Sequence, residues 1–102
     1  MQVGLHTRLK PGCEERYEQY HRAVWPEVIE AIKRSGVRRY LIFRDGLDLF
    51  HFIECDDYAQ AIAQIASDPT SMRWEAEIAT MMAVTHDFSG EGSDLMREIW
   101  EL

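Results

Sequence analysis

The sequence predicts one α+β domain, a ferredoxin-like antiparallel sheet laid out β-α-β-β-α-β with its helices on one face. Three observations carry that prediction. Apolar residues alternate with polar ones near the N-terminus, two β-rich runs flank an Asp-Gly turn in the middle, and the segments between them carry helical spacing. With 102 residues, 46% of them apolar and 28% charged, the chain can bury one core without staples and has no room for a second domain.

From Gln2 to Leu9, Val3, Leu5 and Leu9 alternate with Gln2, Gly4, His6 and Arg8, the period of a half-buried strand, which Pro11-Gly12 ends. Cys13 to Ser35 has helical spacing through Tyr17, Tyr20/His21, Val24/Trp25, Val28 and Ile32. Pro26 either kinks that helix or opens a second one, and Ser35-Gly36 stops it. Val37–Phe43 and Leu49–Cys55 form a hairpin across Asp45-Gly46. Asp56-Asp57 caps a helix over Tyr58–Ala66, closed by Ser67-Asp68-Pro69. Thr70 or Ser71 opens another, running through Trp74, Ile78 and Met81/Met82. His86–Ser93 is a polar loop, and Leu95–Leu102 is the last strand, with a short helix over Leu95–Trp100 as the competing reading.

Charge and cysteine usage narrow the function. A net charge of −7 and only two short basic clusters, Lys33-Arg34 and Arg38-Arg39, argue against nucleic acid as a partner. Cys13 and Cys55 are too few for a disulfide framework, though one bridge between them is open, and a reducing cytoplasm is the compartment they suit. No apolar run approaches the length of a membrane span, so no membrane partner is expected. Leu41-Ile42-Phe43 and Leu49 to Ile53 are apolar on both faces, whereas helices cover only one, so a second copy packed on the open face is expected, giving a homodimer.

The four histidines, His6, His21, His51 and His86, fit no His-x-x-x-His, His-Glu-x-x-His or Cys/His zinc spacing, so no metal is expected. There is no Gly-x-Ser-x-Gly elbow and no phosphate-cradling glycine loop, so neither a nucleophilic serine nor a nucleotide cofactor is expected. His6 and His51 read as strand residues with hydrogen-bonded imidazoles, and His86 as a loop residue.

What stands out is Tyr17-x-x-x-His21-x-x-x-Trp25. Residues four apart share a helix face, so this spacing lines up a phenol, an imidazole with an ordinary pKa of about 6.5, and an indole. Core packing is one reading of such a row; a small polyol site is the other. Trp25 reads as a wedge in the helix bend.

Tyr17-x-x-x-His21 followed by Val24-Trp25-Pro26-Glu27-Val28 resembles the L-rhamnose mutarotase family, whose first helix carries a Tyr-x-x-x-His and then an aliphatic-Trp-Pro-Glu-aliphatic run. Arg39 to Phe43 is similar to the family's aromatic second strand, Arg73-Trp74 to its Arg-Trp on the last helix, and Glu98 to Leu102 to its ending, so the likeness covers nearly the whole chain. It implies a cofactor-free enzyme on a dimeric α/β-barrel scaffold that interconverts the α and β anomers of a 6-deoxy pyranose. The family's proton-donating histidine falls on His21 and its substrate-contacting residues on Tyr17, Tyr40 and Trp74. The best-known members have two consecutive tryptophans where this chain has Trp74-Glu75, which leaves L-fucose beside L-rhamnose as the sugar and gives Glu75 a hydrogen-bonding place in the substrate site.

The chemistry agrees with those residues. Mutarotation moves one proton to the ring oxygen and another off the anomeric hydroxyl, work for acid-base side chains without a metal. Glu75, Tyr20 and His51 are candidate second proton carriers. Two other classes fit the same scaffold: a cofactor-free monooxygenase, and a sugar-binding module without catalysis.

Overall fold

The computed structural model describes residues 1–102. Its centre is β1 (Gln2–Leu9), whose alternation becomes a two-faced strand: Val3, Leu5, Thr7 and Leu9 are buried, while His6 and Arg8 point the other way. β2 (Val37–Asp45) and β3 (Asp48–Cys55) form the expected hairpin, paired antiparallel from Val37↔Cys55 to Asp45↔Asp48. The turn between them is Gly46-Leu47, and Gly46 has φ 61°, the positive value a two-residue hairpin needs at its first position. β3 in turn pairs antiparallel with β1, and the strand order β2-β3-β1-β4 is that of the expected ferredoxin-like sheet.

Four helices pack on one face of this sheet. The Cys13–Ser35 segment is two helices, α1 (Glu14–His21) and α2 (Pro26–Arg34). Pro26 opens α2, and Trp25 before it is extended (φ −58°, ψ 131°), the conformation a residue preceding proline is driven into. Tyr17 and His21 therefore share a helix face, but Trp25 lies outside α1 and is not the third member of that row. α3 (Tyr58–Ala66) and α4 (Pro69–Ala79) follow, and each has an aspartate at its N-cap: Asp57 accepts from the Gln60 amide (3.0 Å), Asp68 from the Ser71 amide (2.9 Å).

The C-terminal third departs from the sequence reading. α4 ends at Ala79 instead of continuing through Met81 and Met82, and Met82–Val84 is a short strand, β4, paired with Leu9 and Arg8 of β1. Of the Leu95–Leu102 segment only Leu95–Met96 is a strand, β5; residues 97–102 form no regular element, helix included. β4 and β5 lie one after the other on the same edge of β1, since Leu95 and Met96 pair with Leu5 and Gly4. The 85–94 loop is thus an excursion from a single edge strand. It is tied by Asp87, whose carboxylate accepts from the Ser89 amide (2.8 Å) and the Ser93 amide (2.8 Å).

The buried apolar residues fall into two clusters. One contains Leu9, Tyr17, Val28, Leu49, Trp74 and Ile78; the other contains Val3, Leu5, Ile53 and Cys55. Between them along β1 and β3 lie Thr7 and His51, both buried and hydrogen-bonded to each other (2.8 Å), so a polar layer crosses the inner face of the sheet. On the opposite face His6 and Arg8 both reach Asp48 (2.8 Å each), and Phe43 pairs with Phe50 across the hairpin, 59% and 37% exposed. Cys13 and Cys55 are both free thiols. No helix is long and apolar enough to cross a membrane.

Candidate active site

A cavity of about 350 Å³ opens between the helices and β2, within the range of small-molecule sites. It brings together Tyr17 and His21 from α1, Tyr40 from β2, Trp74 and Glu75 from α4, and His86 from the edge loop. Apolar walls come from Val28, Ile32 and Ile42. All five residues singled out in the sequence line it; Tyr20 does not, and His51 lies behind Tyr40.

His21 is the last residue of α1, half-buried, with its Nδ1 2.9 Å from the Tyr17 carbonyl oxygen. A carbonyl only accepts, so Nδ1 carries the proton and Nε2 is left with its lone pair. Burial lowers the pKa of His21 from its ordinary value, and repulsion from His86 adds to this against the opposing Tyr17 hydrogen bond. The neutral imidazole is therefore the resting form at neutral pH. Its ring lies against Tyr17 (centroids 4.2 Å apart, planes tilted 33°) and edge-on to Trp74 (5.7 Å, 74°).

Tyr17 is almost wholly buried, and burial, reinforced by Glu75, raises its phenol well above the usual range, so it stays a hydrogen-bond donor. Trp74 is also buried and is met edge-on by Tyr20 (5.9 Å) and Trp25 (5.2 Å). Trp25 thus wedges the bend between α1 and α2 against Trp74 instead of lining the cavity. Glu75 also borders an adjoining cavity of about 260 Å³, and burial raises its carboxyl above the ordinary value while His86 pulls it the other way.

His86, read from the sequence only as a loop residue, is part of this wall. The Tyr40 hydroxyl lies 3.0 Å from His51 Nδ1 and 3.2 Å from His86 Nε2, and His86 Nδ1 is 3.4 Å from Asp94 Oδ2. Burial pushes His51 down to about 3, so it is neutral at any working pH. Burial works to raise the Asp94 carboxyl, but His86 and the Asp87 amide outweigh it and hold the group below its ordinary value. No periodicity marks His86, Asp94 or Thr7; the only available signal was the pairing of a histidine and an aspartate at the two ends of a Gly- and Ser-containing loop. No three His, Cys, Asp or Glu side chains converge in a group that could hold a metal ion.

Comparison with known proteins follows the same lines. The family model described as L-rhamnose mutarotase matches residues 2–102. The L-rhamnose mutarotase of Opitutus terrae is 38% identical over 93 residues, which are 89% of this chain and 88% of that protein. That of Bacillus subtilis is 34% identical over 90 residues, 86% of this chain and 85% of that one. Among solved structures, an L-rhamnose mutarotase from Formosa agariphila superposes with TM-score 0.79 at 23% identity, covering 100% of this chain and 98% of that one. A tetracenomycin F2 cyclase from Streptomyces glaucescens superposes with TM-score 0.71 at 19% identity, covering 100% and 96%, so the same fold also carries a different chemistry.

Proposed function

The chain belongs to the L-rhamnose mutarotase family, and on that footing we propose that it interconverts the α and β anomers of L-rhamnopyranose in the cavity beside His21. The observation that carries the reading is a half-buried imidazole whose Nδ1 is committed to the Tyr17 carbonyl and whose free Nε2 belongs to a side chain lining a sugar-sized space. In ring opening a proton leaves the anomeric hydroxyl, another reaches the ring oxygen, and the C1–O5 bond breaks as the aldehyde forms. Neutral His21 accepts the hydroxyl proton, and the imidazolium so formed donates it back when the rotated aldehyde recloses. Positioned proton transfer of this kind is worth about 10²–10⁴ in rate, enough for a reaction that proceeds slowly unaided. Tyr17 and Tyr40 supply hydroxyl hydrogen bonds, Trp74 covers an apolar sugar surface, and Glu75 binds sugar hydroxyls.

The protein acts as a homodimer in this reading, because the Phe43–Phe50 face is left open by the helices, and its two free thiols suit a reducing cytoplasm. Anomer exchange followed by magnetisation-transfer NMR across L-rhamnose, L-fucose and common aldoses tests the function. The expected result is acceleration greatest for L-rhamnose. Greatest acceleration for L-fucose would reassign the sugar, binding without acceleration would leave a sugar-binding module, and dioxygen consumption with an aromatic compound would point to an oxygenase.

A further inference from the structure

One imidazole accounts for one of the two proton movements; the chain of groups behind Tyr40 accounts for the other. We propose that the Tyr40 hydroxyl is the second proton carrier of the site and that His86, backed by Asp94, reloads it. This deepens the mutarotase reading and rests on it.

Donors and acceptors must match around the Tyr40 hydroxyl. Tyr40 meets two imidazole nitrogens at hydrogen-bond distance, His51 Nδ1 at 3.0 Å and His86 Nε2 at 3.2 Å. A phenol has one proton to give. If it aims that proton at the sugar ring oxygen, both imidazoles must donate to it. His51 does so as its Nδ1–H tautomer, with Nε2 accepting from the Thr7 hydroxyl at 2.8 Å. His86 does so from Nε2–H, and because its Nδ1 faces the Asp94 carboxylate, an acceptor, at 3.4 Å, Nδ1 carries a proton as well and the ring is an imidazolium. Asp94 is 5% exposed, and it is fixed in turn by the Asp87 amide (3.1 Å). The Tyr40 hydroxyl, both ring nitrogens of His51 and of His86, and Asp94 Oδ2 are then each engaged, while the buried Asp94 Oδ1 has no partner.

The transfer balances. The Tyr40 proton goes to the ring oxygen as C1–O5 breaks, His86 Nε2–H passes its proton to the Tyr40 oxygen, and His21 takes the anomeric hydroxyl proton. His86 ends neutral, His21 ends charged, and reclosure runs each transfer backwards. His51 stays neutral throughout, so Tyr40 has one charged neighbour to draw a proton from rather than two. Tyr40 is thereby a catalytic residue, and His86 and Asp94 are positioning residues acting through it.

The groups facing His86 are Tyr40 on β2, His51 on β3, His21 and Tyr17 on α1, Glu75 on α4, Tyr58 on α3, and Asp87 and Asp94 in its own loop. Of these, His21 governs its own limb of a pH–rate profile, which serves as the internal reference. The test is kcat for L-rhamnose anomer exchange from pH 5 to 9 in the wild type, Tyr40→Phe, His86→Gln, Asp94→Asn and the Tyr40→Phe/His86→Gln double variant. Both single changes at Tyr40 and His86 are expected to lower kcat by about 10²-fold, and the double variant to fall within about threefold of Tyr40→Phe, because groups acting as a unit are not additive. His86→Gln should delete one limb of the profile. Asp94→Asn should lower kcat and leave KM unchanged, since it removes the carboxylate that His86 Nδ1–H faces and touches no sugar contact.

A His86→Gln protein with wild-type kcat and profile, or a double variant showing the product of the single losses, overturns the relay. Should the variants not fold, ¹⁵N-histidine spectra of the wild type decide: Nδ1–H on His86 and titration of its Nε2 at the pH of the kcat limb support the proposal, and an unprotonated Nδ1 or no matching titration overturns it. Wild-type exchange at the buffer rate removes the mutarotase reading itself, whereas catalysed exchange with an unaltered His86→Gln protein removes only the relay.

Discussion

His51 is 2% exposed, and its imidazole sits in the polar layer between two apolar clusters with both nitrogens occupied. Its folded-state pKa of about 3 lies far below the unfolded value near 6.5, so between those limits the unfolded chain binds the extra proton. Stability attributable to this group is therefore fully present above pH 6.5 and drains away as pH falls toward 3, by an amount on the order of a few kcal/mol. The lowered carboxyls of Asp94 and Asp87 lose their contributions in a more acidic window, below their ordinary range. Urea midpoints should fall steadily from pH 7 to pH 4, and His51→Gln should flatten that slope; equal slopes in the two proteins would remove His51 as the cause. At the site itself, Tyr17→Phe keeps the backbone carbonyl that orients His21 and loses only a hydroxyl, so kcat should drop less than about tenfold. Trp74→Ala should raise KM more than it lowers kcat in NMR exchange assays, and an unchanged KM would argue against stacking by Trp74.

Element boundaries follow local chemistry where a residue forbids the alternatives. Pro26 forces Trp25 out of the helical region, and the Asp57 and Asp68 carboxylates accept from first-turn amides of α3 and α4. Replacing Asp57 by Ala should cost about 1 kcal/mol in chemical denaturation, with exchange activity retained, because the cap lies away from the cavity. The Tyr17–His21 pair, the hairpin across Gly46 and the Asp57 cap were legible for this reason: each depends on neighbours within four residues; α4, expected to open at Thr70 or Ser71, opens instead at Pro69 behind the Asp68 cap. Met82–Val84 was not, since Ile78, Met81 and Met82 keep helical spacing with no Gly or Pro to interrupt it, and pairing with Arg8 and Leu9 is what makes them a strand. The partnership of Tyr40 with His86 was hidden for the same reason. The two are 46 residues apart and meet only because the 85–94 excursion folds back from the β1 edge.

At the scale of the molecule, helices cover one face of the sheet and leave Phe43 and Phe50 exposed on the other, with Ile99, Trp100 and Leu102 exposed in the C-terminal tail. The two-sided apolar pattern of β2 and β3 was readable in the sequence, and a second copy is the expected cover. Phe43→Glu with Phe50→Glu should convert a dimer to a monomer in multi-angle light scattering. A wild-type chain that is monomeric at micromolar concentration would contradict that expectation. The superposition with both a mutarotase and a cyclase shows a shared fold, and a shared fold does not choose the reaction.

The measurement closest to the central claim is the α/β exchange rate of L-rhamnose with the wild type and with His21→Ala at equal concentration, each checked for native circular dichroism. The account predicts exchange well above the buffer rate with the wild type and a loss of at least about 10²-fold with His21→Ala in a folded protein. Exchange at the wild-type rate in that variant would contradict it.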